Sequence, residues 1–466
     1  MTAIHRLGAI ELAHAYRARA LDPVEVTTAL LARIAALEPR LNAMVLVDAE
    51  GALAAARASA ERFRRGTPLG PLDGVPALVK DILLMRGFAT RRGSLATEGV
   101  APDVEDAPSV AALRDAGCPL VGKTTTAEYG WKAIGDCPHT GVTHNPWSLS
   151  HTPGGSSGGA AAAVAAGYAP LAIGTDGAGS IRVPSAFTGG FGLKPTFGRV
   201  PAYPASPFGL VAHVGPMTRN VADAAAMLEA MARPDPRDWL PVQGGLRPGE
   251  FSAGLAQGVA GLKVAFSPAL GRAAVDPTIA EAVARAARLF ADMGADVEAF
   301  DPPLDDIRDA FLVLWTAASA QAVRHLSTDA RARLDPGLQD SASRGRLWSA
   351  MHMTEADMVR VRTGEALARF LTRFDLLLTP TVPVPALPVG RDLLADGPDA
   401  YWIDWSPFSL PFNFSRQPAA TVPCGVTATG LPIGLQIVGA AHRDALVLRA
   451  AAAFERAAPF ASAPLE

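Results

Sequence analysis

Apolar positions along this chain first recur with the period of a helix and then break into short β-like runs. Leu30, Leu31, Ile34 and Leu37 share one helical face. Ahead of them Asp22 is placed as the N-cap, Pro23 fits the first helical position, and Glu25 is set to close a capping box. Residues 1–65 therefore read as an N-terminal helical region. From Pro71 the texture changes to GVPALVK, CPLVGKT and APLAIGTD, each bounded by Gly or Pro. Between these runs lie Ala-rich helical stretches, Ser109 to Ala116 and Ala160 to Ala166. Such alternation predicts an α/β sheet covered by helices.

Arg233 to Gly258 holds many Pro and Gly residues and reads as a loop. After it, LKVAFSP, Thr278 to Met293 and ADVEAF form a strand–helix–strand pattern, one βαβ unit. The region of about 260–375 thus reads as a peripheral lobe on a single 1–466 domain. TPTVPVPALPVG (379–390) is too rich in proline for a central strand and reads as an ordered connection. No fixed-period repeat is evident.

Composition narrows the function classes. Of 466 residues 49% are hydrophobic and 19% charged, which suits a large buried core and not a disordered chain. The net charge of −3 supplies no basic field for nucleic acid or an anionic membrane. Cys118, Cys137 and Cys424 are too scattered for a disulfide framework or a metal pair, as expected of free thiols in the cytoplasm. Charges interrupt the first 20 residues, so no signal-peptide core is seen. The most apolar stretch, Ala160 to Ile173, is too short to span a bilayer.

Candidate chemistry lies in two glycine-serine clusters, residues 153–159 (PGGSSGG) and 174–182 (GTDGAGSIR). Glycines let backbone N–H groups converge on an anionic oxygen, and a serine beside them meets the needs of acyl transfer. Tight turns would use the same residues. GGSSG also fits a G-x-S-x-G nucleophile elbow on Ser156 or Ser157, with His213, His325, His352 and His442 as available bases. Residues 117–124 (GCPLVGKT) match a phosphate-loop pattern formally, but Pro119 lacks an N–H and Leu120 and Val121 suit a buried strand.

Lysine usage discriminates among these readings. Lys80, Lys123, Lys132, Lys194 and Lys263 are the only lysines, against 42 Lys and Arg together. Arginine never deprotonates in a protein, whereas a buried lysine can serve as a neutral base. Lys80 ends the apolar run GVPALVK, where desolvation lowers a lysine pKa. A lysine snorkelling beside Asp81 fits the same pattern.

Taken together these segments resemble the amidase signature family. The likeness runs through GVPALVKD (74–81), GKTTTAEYG (122–130), TPGGSSGGAAAAVAAG (152–167), GTDGAGSIRVPSAFTGGFGLKPT (174–196) and VGPMTRNVADAA (214–225). It resumes at DLLLTPTVP (375–383) and QPAATVPCG…GLPIGLQIVG (417–439), so it spans most of the chain. The resemblance implies a Ser–cisSer–Lys triad: Ser180 as nucleophile, Ser156 as proton relay after a cis peptide, and Lys80 as general base. It implies oxyanion donors at Gly177, Ala178 and Gly179, with Ser180's own N–H, and it requires no metal or cofactor. It also implies a single large α/β domain with a central twisted mixed β-sheet flanked by helices on both sides, and it makes GKT-x₃-E at Lys123 a structural segment. Two positions depart from the family: Ala178 where a glycine is common, and Ala160 where a serine is common.

The implied activity is hydrolysis of amide C–N bonds in a small-molecule substrate through a serine acyl-enzyme. The aromatic run 401–414, with Trp402 and Trp405, joins Tyr129, Trp131 and Trp315 as candidates to wall an apolar pocket. Core packing explains the same aromatics. The pocket reading favours hydrophobic or aryl amides, with esters and carbamates as further candidates. The main rival within the family is the glutaminase subunit of the glutamyl-tRNA(Gln) amidotransferase. That glutaminase typically carries Met-Tyr-Leu-x-Asp where this chain has Tyr401-Trp402-Ile403-Asp404. A homodimer is left open.

Overall fold

A computed structural model describes residues 3–242, 247–394 and 400–465; within the expected loop from Arg233 to Gly258, residues 243–246 lie outside the described ones. The N-terminal helix spans Pro23–Leu41, with the Asp22 carboxylate accepting the Val24 N–H at 2.8 Å. Glu25 does not complete the expected capping box. Val26, Leu30, Ile34, Leu37 and Leu41 are all buried, so the helical periodicity marks a real core-facing stripe.

The strands are β1 (Met44–Val47), β2 (Ala77–Lys80), β3 (Leu120–Thr124), β4 (Asp136–Cys137), β5 (Gly141–Val142), β6 (Leu171–Asp176) and β7 (Phe191–Lys194). They continue as β8 (His213–Thr218), β9 (Lys263–Phe266), β10 (Asp296–Ala299), β11 (Leu376–Pro380), β12 (Ala419–Val426) and β13 (Pro432–Gly439). Among the described residues, 11 of them form one sheet in the order β1-β3-β2-β6-β8-β7-β12-β13-β11-β9-β10, while β4 and β5 pair separately. β2 runs parallel to β3 and β6, and β9 parallel to β10 and β11; the remaining pairs are antiparallel. The sheet is therefore mixed, and the molecule is a single α/β domain.

Helices cover both faces, which explains why the central strands are apolar on both sides. Val221–Met231, Pro277–Asp292 and Asp444–Ala457 bury their stripes in one apolar cluster with Leu376, Leu435 and Ile437. Gly158–Ala165 and Arg182–Thr188 lie against β6, β8, β7 and β13. The βαβ unit read after residue 260 adds β9 and β10 to an edge of this same sheet. The helices Arg308–Ala322 and Pro336–Gly345 pack instead with Trp131, Trp402 and Trp405 in a second apolar cluster.

One expectation is corrected at the Pro-rich segment. Thr379 and Pro380 belong to β11, which lies between β13 and β9 inside the sheet. β9 ends at Phe266, opposite Leu378, so Pro380 falls where that neighbour no longer calls for a donor. The Thr381 N–H resumes bonding to Gly434 O at 2.9 Å, and only then does the connection begin.

Candidate active site

The carboxyl ends of the parallel strands β2 and β6 carry the first two groups of the site, the usual place for chemistry in such sheets. Lys80 is the last residue of β2 and is fully buried. The β2–β6 register, Val79 opposite Ile173, sets Thr175 beside it. The Lys80 Nζ lies 2.7 Å from Ser156 Oγ, 2.8 Å from Ser157 Oγ and 2.8 Å from Thr175 Oγ1. Burial pushes the Lys80 pKa well below the usual lysine value, and the Asp176 charge opposes that shift without cancelling it.

The Ser157 hydroxyl donates to Thr175 O at 3.2 Å, so its oxygen is free to receive an N–H from Lys80. A neutral amine has two such hydrogens and one lone pair, so among three hydroxyls it would donate to two and accept from the third. Ser156 follows a cis Gly155–Ser156 peptide. Gly155 is required there because a Cβ would collide with the Ile134 carbonyl.

Ser180 sits in the loop that leaves β6, and it lines the same cavity as Ser156, Thr175, Asp176 and Gly177. Among the described residues no hydrogen bond joins Ser156 to Ser180, although Ser157 N–H donates to Ser180 O at 3.3 Å. Asp176 holds the loop from beneath. Its carboxylate accepts from Gly179 N–H (2.7 Å), Ile181 N–H (3.2 Å), Arg182 Nε (3.0 Å) and Asn413 Nδ2 (2.9 Å). Burial works against its charge, but the Arg182 guanidinium and Asn413 hold the carboxyl well below the usual range. Arg182 is itself fully buried and reaches Gln436 at 2.7 Å.

This loop corrects one oxyanion expectation. The Gly179 N–H is already committed to Asp176. Gly179 instead provides a turn at φ +105°, where a Cβ would stand 2.7 Å from Ser409 Oγ. The N–H groups of Gly177, Ala178 and Ser180 have no partner among the described residues. Of Gly177 and Ala178, only Gly177 lines the cavity; Ala178 turns its methyl into the second apolar cluster and its carbonyl to Ser409 Oγ at 2.7 Å. The extra methyl therefore leaves the cavity unnarrowed.

The cavity holds about 800 Å³, the size range of small-molecule sites. Tyr129 and Trp315 line it, with Phe208 packed on Trp315 at a ring separation of 4.2 Å. Phe208 was missed in the sequence because it stands alone between prolines with no periodic context. Trp131, Trp402 and Trp405 do not line the cavity, a correction to the aromatic-wall expectation. They are buried behind it: Trp402 meets Trp315 edge-on at 5.5 Å, the Trp131 carbonyl accepts the Trp315 Nε1–H at 2.9 Å, and Trp405 stacks on Phe187. Asp176, Thr175 and Asn413 were also missed, since their roles depend on contacts across the sheet.

The rival constellations are absent. No hydrogen bond links a histidine to Ser156, Ser157 or Ser180 among the described residues, which overturns the nucleophile-elbow alternative. His213 lines the cavity, but its Nδ1 lies 2.8 Å from Val211 O and its Nε2 3.4 Å from Lys194 Nζ. Lys123 is fully buried against Asp81 at 2.9 Å and Thr90 at 2.7 Å, so no phosphate loop forms there. Among the described residues no group of His, Cys, Asp and Glu could hold a metal ion, and no helix is long and apolar enough to cross a membrane.

A buried lysine bonded to a serine, with a second serine and open backbone N–H groups beside the same cavity, is equipped for acyl transfer. Residues 25–448 match the Amidase family model, and the chain belongs to the amidase signature family. Among curated proteins it is 38% identical to a subunit of the glutamyl-tRNA(Gln) amidotransferase of Myxococcus xanthus, over 98% of this chain and 99% of that one. It is 37% identical to an acylamidase of Rhodococcus erythropolis, over 98% and 97% respectively. A bacterial aryl acylamidase of known structure superposes with a TM-score of 0.91 at 32% identity, covering 98% of this chain and 97% of that one.

Proposed function

We propose that this amidase cleaves small amides with an apolar or aromatic portion, using Ser180 as nucleophile, Ser156 as relay and Lys80 as base. The observation that carries the reading is the 2.7 Å Lys80–Ser156 bond at a fully buried lysine, whose pKa burial pushes well below the usual lysine value. Ser180 Oγ attacks the amide carbonyl and passes its proton to Ser156, which passes its own to the Lys80 lone pair. The tetrahedral oxyanion is met by the open N–H groups at Gly177 and Ser180. The proton returns through Ser156 to the departing amine as the C–N bond breaks. Water then hydrolyses the Ser180 ester by the same relay, releasing the acid.

The substrate preference rests on Trp315, Phe208 and Tyr129, whose rings offer a flat apolar surface beside Ser180. The likeness to acylamidases supports it. A second reading, glutamine hydrolysis as part of an amidotransferase, is favoured by the Myxococcus relative. The protein purified alone should release aniline from acyl anilides with a kcat/KM well above that for ammonia from glutamine. The reverse order would reject the aryl-amide reading in favour of the second.

A further inference from the structure

Two non-glycine residues with left-handed backbones meet at the rim of the catalytic cavity: Arg92 (φ 54°) and Tyr129 (φ 50°). Both line it. They are bonded to each other, the Tyr129 N–H donating to Arg92 O at 2.8 Å. Arg92 N–H in turn donates at 3.0 Å to the carbonyl of Asp81, the residue after Lys80. The backbone that carries the lysine thus also fixes the position of this arginine. A side chain at positive φ is strained and points to a functional constraint when its surroundings enforce it.

The Arg92 guanidinium is half-buried and has neither an ion-pair nor a hydrogen-bond partner among the described residues. Arg62, likewise partly buried, is by contrast paired with Asp73. Asp103, in the same cavity, accepts Met85 N–H at 3.0 Å and the Thr90 hydroxyl at 2.5 Å, both on one carboxylate oxygen, and forms no ion pair with Arg92. The other lining carboxylate, Asp176, is consumed by Arg182. Arg324 and His325 stand exposed on the same cavity. A planar fork of donors left open inside a site matches a carboxylate.

We infer that the preferred substrate is an amide that bears a carboxylate away from the scissile bond, with Arg92 as the residue that binds it. Resting on the aryl-amide reading, this adds the substrate's charge: rings against Trp315 and Phe208, an anionic end at Arg92. Arg92 stands outside the proton relay and acts on substrate selection.

The test uses two matched pairs. N-phenylsuccinamate against N-phenylpentanamide places the carboxylate on the acyl side. 4-Acetamidobenzoate against 4-methylacetanilide places it on the amine side. In the wild-type protein at least one carboxylate member should exceed its neutral partner in kcat/KM. Arg92→Asn, which tolerates the left-handed backbone, should cut that ratio by about 10- to 100-fold, chiefly through KM. Arg92→Lys should recover part of it, which a merely structural role for Arg92 would not produce. Neutral anilides turned over with no carboxylate preference, or a preference that survives Arg92→Asn, would overturn the inference alone. A wild-type protein inert toward all four amides would reject the aryl-amide reading and this inference with it.

Discussion

Lys80 is surrounded by three hydroxyls and no carboxylate within hydrogen-bonding distance, among the described residues. That environment favours the neutral amine, because nothing nearby balances a buried ammonium except the more distant Asp176. Lys80→Arg keeps a positive charge and loses the lone pair, so kcat should fall by about 10²–10⁴-fold. The pH profile gives the sign: as pH rises, Lys80 loses its proton and activity climbs. With the pKa lowered by burial, that climb should lie well below the usual lysine value of about 10.4. A flat profile, or full turnover by Lys80→Arg, would remove Lys80 from the reaction.

At the scale of elements, the loop between β6 and the helix Arg182–Thr188 is held by one carboxylate. Asp176→Asn leaves the buried Arg182 charge without its partner, which should cost about 3–5 kcal/mol of stability. It also turns one of the two acceptor oxygens into an NH2, so either Gly179 or Ile181 loses the acceptor for its N–H, the loop should lose its shape, and kcat should drop together with the denaturation midpoint. The linkage has a definite direction. Because the folded-state pKa of Asp176 is depressed, its contribution is present above the unfolded value of about 3.9 and is lost as pH falls toward the folded one. Acid titration of stability should show this slope in the wild type and a shallower one in Asp176→Asn. An unchanged slope would mean that Asp176 does not act as described.

Across the whole molecule, the C-terminal helix closes against the βαβ unit. Phe290, in the helix after β9, stacks on Phe454 of the C-terminal helix at 5.8 Å, and both are buried in the cluster under the sheet. Phe290→Ala should cost about 3–5 kcal/mol and lower Tm. KM for an anilide should change little, since neither Phe290 nor Phe454 lines the cavity. A large KM change without a loss of Tm would show that the βαβ unit acts on the site and not on the core.

Much of this is legible in the order of residues alone. Helical period and capping residues located Pro23–Leu41, and Gly- and Pro-bounded apolar runs located β2, β3 and β6, because those signals are local. The glycine-serine clusters and the rarity of lysine raised the candidates through the chemistry that those residue types permit, and the resemblance to the amidase signature family picked Lys80, Ser156 and Ser180 from among them. What the sequence left ambiguous was every matter of direction. Trp131, Trp402 and Trp405 share composition with Trp315, yet only Trp315 faces the cavity, since which side of a ring meets empty space depends on the packing of distant helices. Gly179 looked like an oxyanion donor until Asp176 took its N–H. Arg92 could not be told from a surface arginine until the fold withheld an acid from it. Residue type and local spacing determine what chemistry is available and where strands and helices form; only the tertiary structure decides which donors stay open, because the orientation of a group such as Asp176 is settled jointly by near neighbours and by partners as distant as Asn413.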